Sequence, residues 1–190
     1  MRSRSPLRPA AAGITIAILA VLVLAADQLA KVAAIDSLPP ERVVPIIGDF
    51  LQFYLVRNPG AAFSLGEGVT WLFTIALAVV AGVIVFLAVR RVRSRLWAVV
   101  LGLLLGGVLG NLTDRLLREP GFPVGHVVDF ISTPWMMPAI YNVADMFIVT
   151  MMVAVAVLVL LGRRLDGTRE IRASRSTEGD VEAPAEPGAR

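Results

Sequence analysis

The 190-residue chain has no cysteine, and this excludes disulfides, thiolate metal sites and a cysteine nucleophile. It has one histidine, His126, so a histidine-rich metal centre is excluded and a Ser–His pair has a single candidate base. No His-Glu-x-x-His run is present. Charge is scarce as well: 17% of residues are Asp, Glu, Lys or Arg, where soluble domains carry about a quarter. Against these shortages stand 56% hydrophobic residues and a mean hydropathy of +0.74, the composition of a membrane protein. A net charge of +3 could suggest nucleic acid, but the arginines flank apolar runs and mark a membrane face instead.

Four stretches are long enough to cross a hydrocarbon core, which takes about 20 helical residues. They run from Ala10 to Ala34, from Val69 to Val89, from Leu96 to Leu112 and from Asn142 to Leu161. The first follows Arg2, Arg4 and Arg8 as a signal peptide would. However, no clear small-x-small cleavage site follows it, and Asp27 and Lys31 continue its helical pattern. Arg90-Arg91-Val92-Arg93-Ser94-Arg95 joins spans two and three, and Arg163 and Arg164 follow span four. The other two connections are net acidic. Positive charge stays inside, so both termini are expected in the cytoplasm and loops 35–68 and 113–141 outside.

In the first outer loop, the β-prone runs Arg42–Ile47 and Phe50–Val56 are split by Gly48-Asp49 and read as a small hairpin. Asn58-Pro59-Gly60 follows as a turn. The expected class is an all-α membrane protein, a four-helix transmembrane bundle with a small extracytoplasmic β element in the first outer loop. A basic cytoplasmic tail (1–9) precedes the 10–165 bundle. A tail rich in Ser, Glu, Gly, Pro and Arg (166–190) reads as disordered. Trp71, Trp97 and Trp135 read as interfacial anchors and His126 as a surface residue.

A strongly polar group at mid-bilayer costs about 2.5 to 3.5 kcal/mol, so each one here needs a reason. Asp27 and Lys31 share a helix face at the outer end of span one. Asn111, Asp114 and Arg115 close span three, also at its outer end, and Asn142 and Asp145 open span four from the same side. Topology alone therefore gathers them in one leaflet. Asp129 sits in the apolar run Val127-Val128-Asp129-Phe130-Ile131 of the second outer loop, which suggests a segment that dips against the bundle with its carboxyl inward. Two carboxylates in one dry site cannot both ionise, and a shared proton is the arrangement of aspartic proteases. Such a pair titrates as a unit, so base and acid are not separable from the sequence.

Each of these residues has a plainer role open to it. Asp129 could cap a surface helix, and Asp145 could be a first-turn acid favoured by the helix dipole. Asp114 rivals either for the pair, or else partners Arg115 or Lys31 within the bundle. Asp27 with Lys31 reads as a structural ion pair. Arg115 either snorkels to lipid phosphates or steadies the site. A transporter would also bury charges, but it would show broken or repeated helices. A serine protease would rest on Ser64 and His126, and no nucleophile elbow surrounds Ser64. A non-catalytic scaffold would not need so many costly groups in one leaflet.

Five segments in order, Asp27-Gln28-Leu29-Ala30-Lys31, Asn58-Pro59-Gly60-Ala61-Ala62-Phe63-Ser64, Gly110-Asn111-Leu112-Thr113-Asp114-Arg115, Val127-Val128-Asp129-Phe130 and Asn142-Val143-Ala144-Asp145, resemble the motifs of the bacterial lipoprotein signal peptidases. The resemblance covers about residues 10 to 161 and leaves the tail outside it. It implies an aspartic endopeptidase of the bacterial cytoplasmic membrane that cuts prolipoproteins just before a diacylglyceryl-modified cysteine. It implies Asp129 and Asp145 as the catalytic pair, with Asn58, Asn111, Arg115 and Asn142 lining the site. Gly60 and Ala62 would let the substrate backbone pass. Asp27, Lys31 and Asp114 are kept as structural polar residues. The expected partners are prolipoproteins and membrane lipid, with no nucleic acid, metal or cofactor, and the expected state is a monomer.

Overall fold

The computed structural model describes residues 7–60 and 68–169. Four helices, α1 (Pro9–Ser37), α2 (Thr70–Arg90), α3 (Arg95–Leu117) and α4 (Val143–Leu160), carry two pairs of strands, β1 (Val43–Ile47) and β2 (Leu51–Asn58) between α1 and α2, and β3 (Val127–Thr133) and β4 (Met137–Tyr141) between α3 and α4. Each helix is long and apolar enough to cross a membrane. The shortest has 18 residues, about 27 Å at 1.5 Å per residue.

α3 is the central helix. Buried residues run along it from Trp97 to Arg115, whereas the other three turn large apolar side chains outward. Ile14, Ile18 and Leu22 on α1, Ile75, Val79 and Phe86 on α2 and Val149 and Val153 on α4 are all exposed. Continuous apolar surface of that extent is a liability in water and a requirement in lipid. α3 holds the centre because glycine lets its neighbours close on it. A Cβ at Gly106 would lie 2.5 Å from Val23 Cβ, one at Gly102 would lie 3.0 Å from the Ile16 backbone, and one at Gly107 would lie 2.7 Å from the Ala144 carbonyl. Small residues at such crossings let backbones approach as side chains could not.

The class differs from the all-α expectation. The sheet is antiparallel, four-stranded, in the order β1-β2-β3-β4, and it takes its strands from the α1–α2 and α3–α4 connections. The expected first-loop hairpin is β1–β2, with Val44 opposite Phe53. The unexpected half is β3–β4, joined to β2 by pairs such as Val56 with Asp129 and Asn58 with Val127. The edge strands are the two that contain proline, Pro45 and Pro138, where a missing donor costs no ladder bond. A second small core of Ala34, Leu55, Val128 and Phe130 seats the sheet on the end of α1. At the far rim Phe50 stacks on Trp135 at 4.9 Å, and Trp135 Nε1 donates to the Phe50 carbonyl at 2.9 Å.

At the other end of the bundle Trp97 is not an exposed anchor. It is 5% exposed, and its Nε1 donates to the Arg163 carbonyl at 3.2 Å. The chain after α4 folds back, and the Leu165 carbonyl accepts from the backbone N–H groups of Arg93 and Ser94. Asp166 and Thr168 close a turn there. His126, expected at the surface, is half-buried. Ala62, Ser64 and residues 170–190 lie outside the described residues.

Candidate active site

Asp129 is in the middle of β3, a strand covered on both faces, and is 3% exposed. Its Oδ2 accepts from Asn58 Nδ2 at 2.9 Å, and its Oδ1 accepts from Asn142 Nδ2 at 2.6 Å. Burial and the nearby charge of Asp145 push its carboxyl up from an ordinary 3.8 to about 7, against the two asparagine donors.

Asp145 is half-buried in the first turn of α4. Asn142 and Asp145 form a capping box. The Asn142 side-chain oxygen accepts from Asp145 N at 3.0 Å, and Asp145 Oδ2 accepts from Asn142 N at 3.1 Å. Asp145 Oδ1 takes Asn111 Nδ2 at 2.7 Å. Asn142 Nδ2 also reaches Asn111 Oδ1 at 3.1 Å, so one asparagine amide touches both the Asp129 and the Asn111 arms.

The orientation of these amides follows from chemistry. Lys31, which only donates, faces Asn111 Oδ1 at 2.9 Å, and this turns the Asn111 nitrogen toward Asp145. The cap requires the Asn142 oxygen at the Asp145 N–H, which turns the Asn142 nitrogen toward Asp129.

Asp27, Lys31 and Asp114 lie behind this cluster and are wholly buried. Lys31 Nζ is 2.9 Å from Asp27 Oδ2 and 2.8 Å from Asp114 Oδ2. Of the two partners open to Asp114, Lys31 is the one it meets directly. It also takes Arg118 Nε at 2.7 Å, Gln28 Nε2 at 3.1 Å and the Val128 N–H at 3.1 Å. Arg115 is 3% exposed and far from snorkelling. Its Nη1 donates to the carbonyls of Asn58, Pro59 and Gly125 at 3.3, 2.8 and 3.2 Å, and its Nη2 donates to Gly60 O. Phe73 lies under the guanidinium at 5.8 Å. The asparagine-proline-glycine turn is thus gripped by its carbonyls, with Gly60 buried beneath the arginine.

A cavity of about 630 Å³ opens over Asn111, Asp129 and Asp145. Its walls come from α2 (Leu77, Val80), α4 (Met146, Val149) and Tyr141 of β4. The floor is polar and the walls are apolar, so the space suits a peptide bond held beneath a greasy chain. Asp114 does not line it. Among the described residues no cluster of His, Asp or Glu is arranged to hold a metal.

Several participants were not singled out from the sequence, Arg118 and Phe73 among them. Gln28 bridges Asp27, Gly110 and Asp114, and its place one residue after an intramembrane acid was a usable signal. The backbone N–H groups of Val128 and Ala144 left no side-chain trace to read.

The model of the family described as signal peptidase (SPase) II matches residues 19–161. A lipoprotein signal peptidase of Leifsonia xyli subsp. xyli is 44% identical over 92% of this chain and 82% of that protein. One from Rhodococcus jostii is 49% identical over 80% of this chain and 76% of its own length. One from Mycobacterium tuberculosis is 47% identical over 77% and 71%. Two solved structures described as a "bacterial membrane enzyme" are 28% identical, with TM-scores of 0.69 and 0.67. Each covers 77% of this chain, and the matches take in 87% and 92% of the solved chains.

Proposed function

The chain belongs to the signal peptidase II family, a family of bacterial membrane proteases, and on that premise we propose that it removes signal peptides from prolipoproteins with an Asp129–Asp145 pair and one water. The observation that carries the assignment is Asn142, whose side-chain nitrogen donates to the Asp129 carboxylate and whose backbone N–H donates to the Asp145 carboxylate, both acids standing at the floor of the cavity. One carboxylate removes a proton from the attacking water while the other gives its proton to the scissile carbonyl oxygen. The pair titrates as a unit, and the value of about 7 for Asp129 suits a proton retained at neutral pH.

The bond cut lies just before a cysteine carrying a diacylglyceryl group. The apolar walls between α2 and α4 support sideways entry of such a substrate from the bilayer, with the lipid kept in lipid. Asn58 and Asn111 hold substrate carbonyls and the pair, while Arg115 holds the Asn58–Gly60 turn. Gly60, and Ala62 beyond the described residues, give the substrate backbone room. Asp27, Lys31 and Asp114 belong to the bundle's interior. Arg90, Arg91, Arg95 and Arg163 crowd the end of the bundle away from the sheet, which supports cytoplasmic termini and a site at the outer leaflet. The peptidase unit is residues 10–165 with a tail on either side, and it acts as a monomer.

The test is a gel-shift assay on purified lipid-modified prolipoprotein. Wild type is expected to cleave, and Asp129→Asn and Asp145→Asn to be inactive while melting like wild type. An active Asp129→Asn or Asp145→Asn sinks the aspartic assignment. An intact substrate with wild type, where another family member cuts it, sinks the activity itself.

A further inference from the structure

The Lys31 ammonium has three N–H donors and three acceptors, Asp27 Oδ2, Asp114 Oδ2 and Asn111 Oδ1, all at 2.8 to 2.9 Å. An ion pair that only neutralised charge between helices would need one carboxylate. Lys31 holds two, and each carboxylate also accepts a backbone N–H from a segment of the site. Asp27 Oδ1 takes the N–H of Ala144 at 2.9 Å, and Asp114 Oδ2 takes the N–H of Val128 at 3.1 Å. Ala144 immediately precedes Asp145, and Val128 immediately precedes Asp129.

The first of these bonds also meets a backbone requirement. The Ala144 N–H is one of the first-turn donors of α4 that no intrahelical carbonyl can satisfy. A side chain from α1 satisfies it instead. The third acceptor, Asn111, passes the constraint to the Asp145 carboxylate itself.

Resting on the aspartic reading above, we propose that Lys31 is a positioning residue: it sets the separation and orientation of Asp129 and Asp145 through Asp114 and Val128 on one side, Asp27 and Ala144 on the other, and the Asn111 amide between. It touches neither substrate nor water. Its loss leaves the substrate cavity intact and the two carboxylates misaligned, so the effect falls on turnover and hardly on binding.

The test uses the full-length chain in detergent with lipid-modified prolipoprotein, and every rate is taken per folded, monodisperse molecule. The neutral double variant Lys31→Met/Asp27→Asn removes the ammonium without leaving an uncompensated Asp27, and the asparagine oxygen still meets Ala144. The expected result is a kcat lower by about 100-fold or more, with KM within about threefold of wild type. A kcat within about threefold of wild type overturns the proposal and leaves the aspartic reading standing. An active Asp129→Asn in the same series would instead overturn the reading beneath it.

Because the chain has no cysteine, Lys31→Cys offers a second arm. Alkylation of the unfolded variant with 2-bromoethylamine, followed by refolding, restores an ammonium at nearly lysine length. Recovery of at least about tenfold in kcat over the unmodified variant is expected, and no recovery overturns the proposal. If neither variant gives a monodisperse folded chain, a purely structural role accounts for Lys31 and the proposal falls.

Discussion

Asn142 caps Asp145 with one end of its side chain and holds Asp129 with the other, at 3.0 Å and 2.6 Å. The residue that starts α4 therefore also fixes the strand carrying the other acid, and stability and cleavage separate when it is removed. Asn142→Ala loses the cap, which costs about 1 kcal/mol, and loses a donor to Asp129. Cleavage is expected to fall by about 100-fold or more, well beyond what the lost stability explains. Unfolding in detergent and initial cleavage rates, measured on one preparation, check this, and a rate within threefold of wild type would contradict it.

Arg115→Lys keeps the charge and loses the fork. A lysine cannot reach four carbonyls spread over Asn58, Pro59, Gly60 and Gly125, and buried acceptors left without donors cost about 1 to 3 kcal/mol each. The turn loosens and Asn58 loses its hold on Asp129. Limited proteolysis at the 58–60 turn should quicken, and cleavage of substrate should drop about tenfold or more. A variant as resistant and as active as wild type would remove Arg115 from this role.

The glycines of the bundle divide by what surrounds them. Gly106→Ala places a methyl 2.5 Å from Val23 and 2.8 Å from the Ala20 carbonyl, and overpacking of that kind costs about 1 to 3 kcal/mol. Gly82→Ala on α2 meets nothing within 4 Å, and there the better helix propensity of alanine stabilises or is neutral. Thermal unfolding of the pair should move in opposite directions, or one should fall while the other stays. Equal losses would mean that α1 and α3 are not in such close contact.

Asp129, raised by burial to about 7, sets a pH limit. As pH rises through that value the pair loses the proton that the mechanism needs, so kcat should fall about tenfold per pH unit on the alkaline side. Between the ordinary 3.8 and about 7 the native chain keeps a proton that the unfolded chain has shed. Folding stability therefore declines as pH rises across that window. Rates and melting temperatures from about pH 5 to about pH 9, with Asp129→Asn as reference, test both trends. A stability slope that survives unchanged in Asp129→Asn would assign it to another group.

The four helices were legible because each holds a long, predominantly apolar run, and the β1–β2 hairpin because Gly48-Asp49 separates two β-prone stretches. β4 was not, since Met137-Pro138-Ala139-Ile140-Tyr141 carries a proline and no alternation, and only its edge position makes it a strand. Trp97 was misplaced because an aromatic residue near a span's end looks alike whether it faces lipid or the returning chain after α4. The convergence of Asp27, Lys31, Asn111, Asp114, Asn142 and Asp145 followed from counting spans. Their individual bonds did not, because Lys31 meets Asn111 across 80 residues and Asp27 meets Ala144 across 117. Spacing on one helix carries no information about contacts of that range.

The cluster is assembled from α1, the β2 turn, α3, β3 and finally α4, with Asn142 capping and Asp145 within the last helix among the described residues. A chain without α4 holds Asp129 and its Asn58 donor but lacks the Asn142 donor and the Asp145 carboxylate. On the proposed aspartic pair, hydrolytic competence waits for α4, and a nascent chain that lacks this helix is born without a blade.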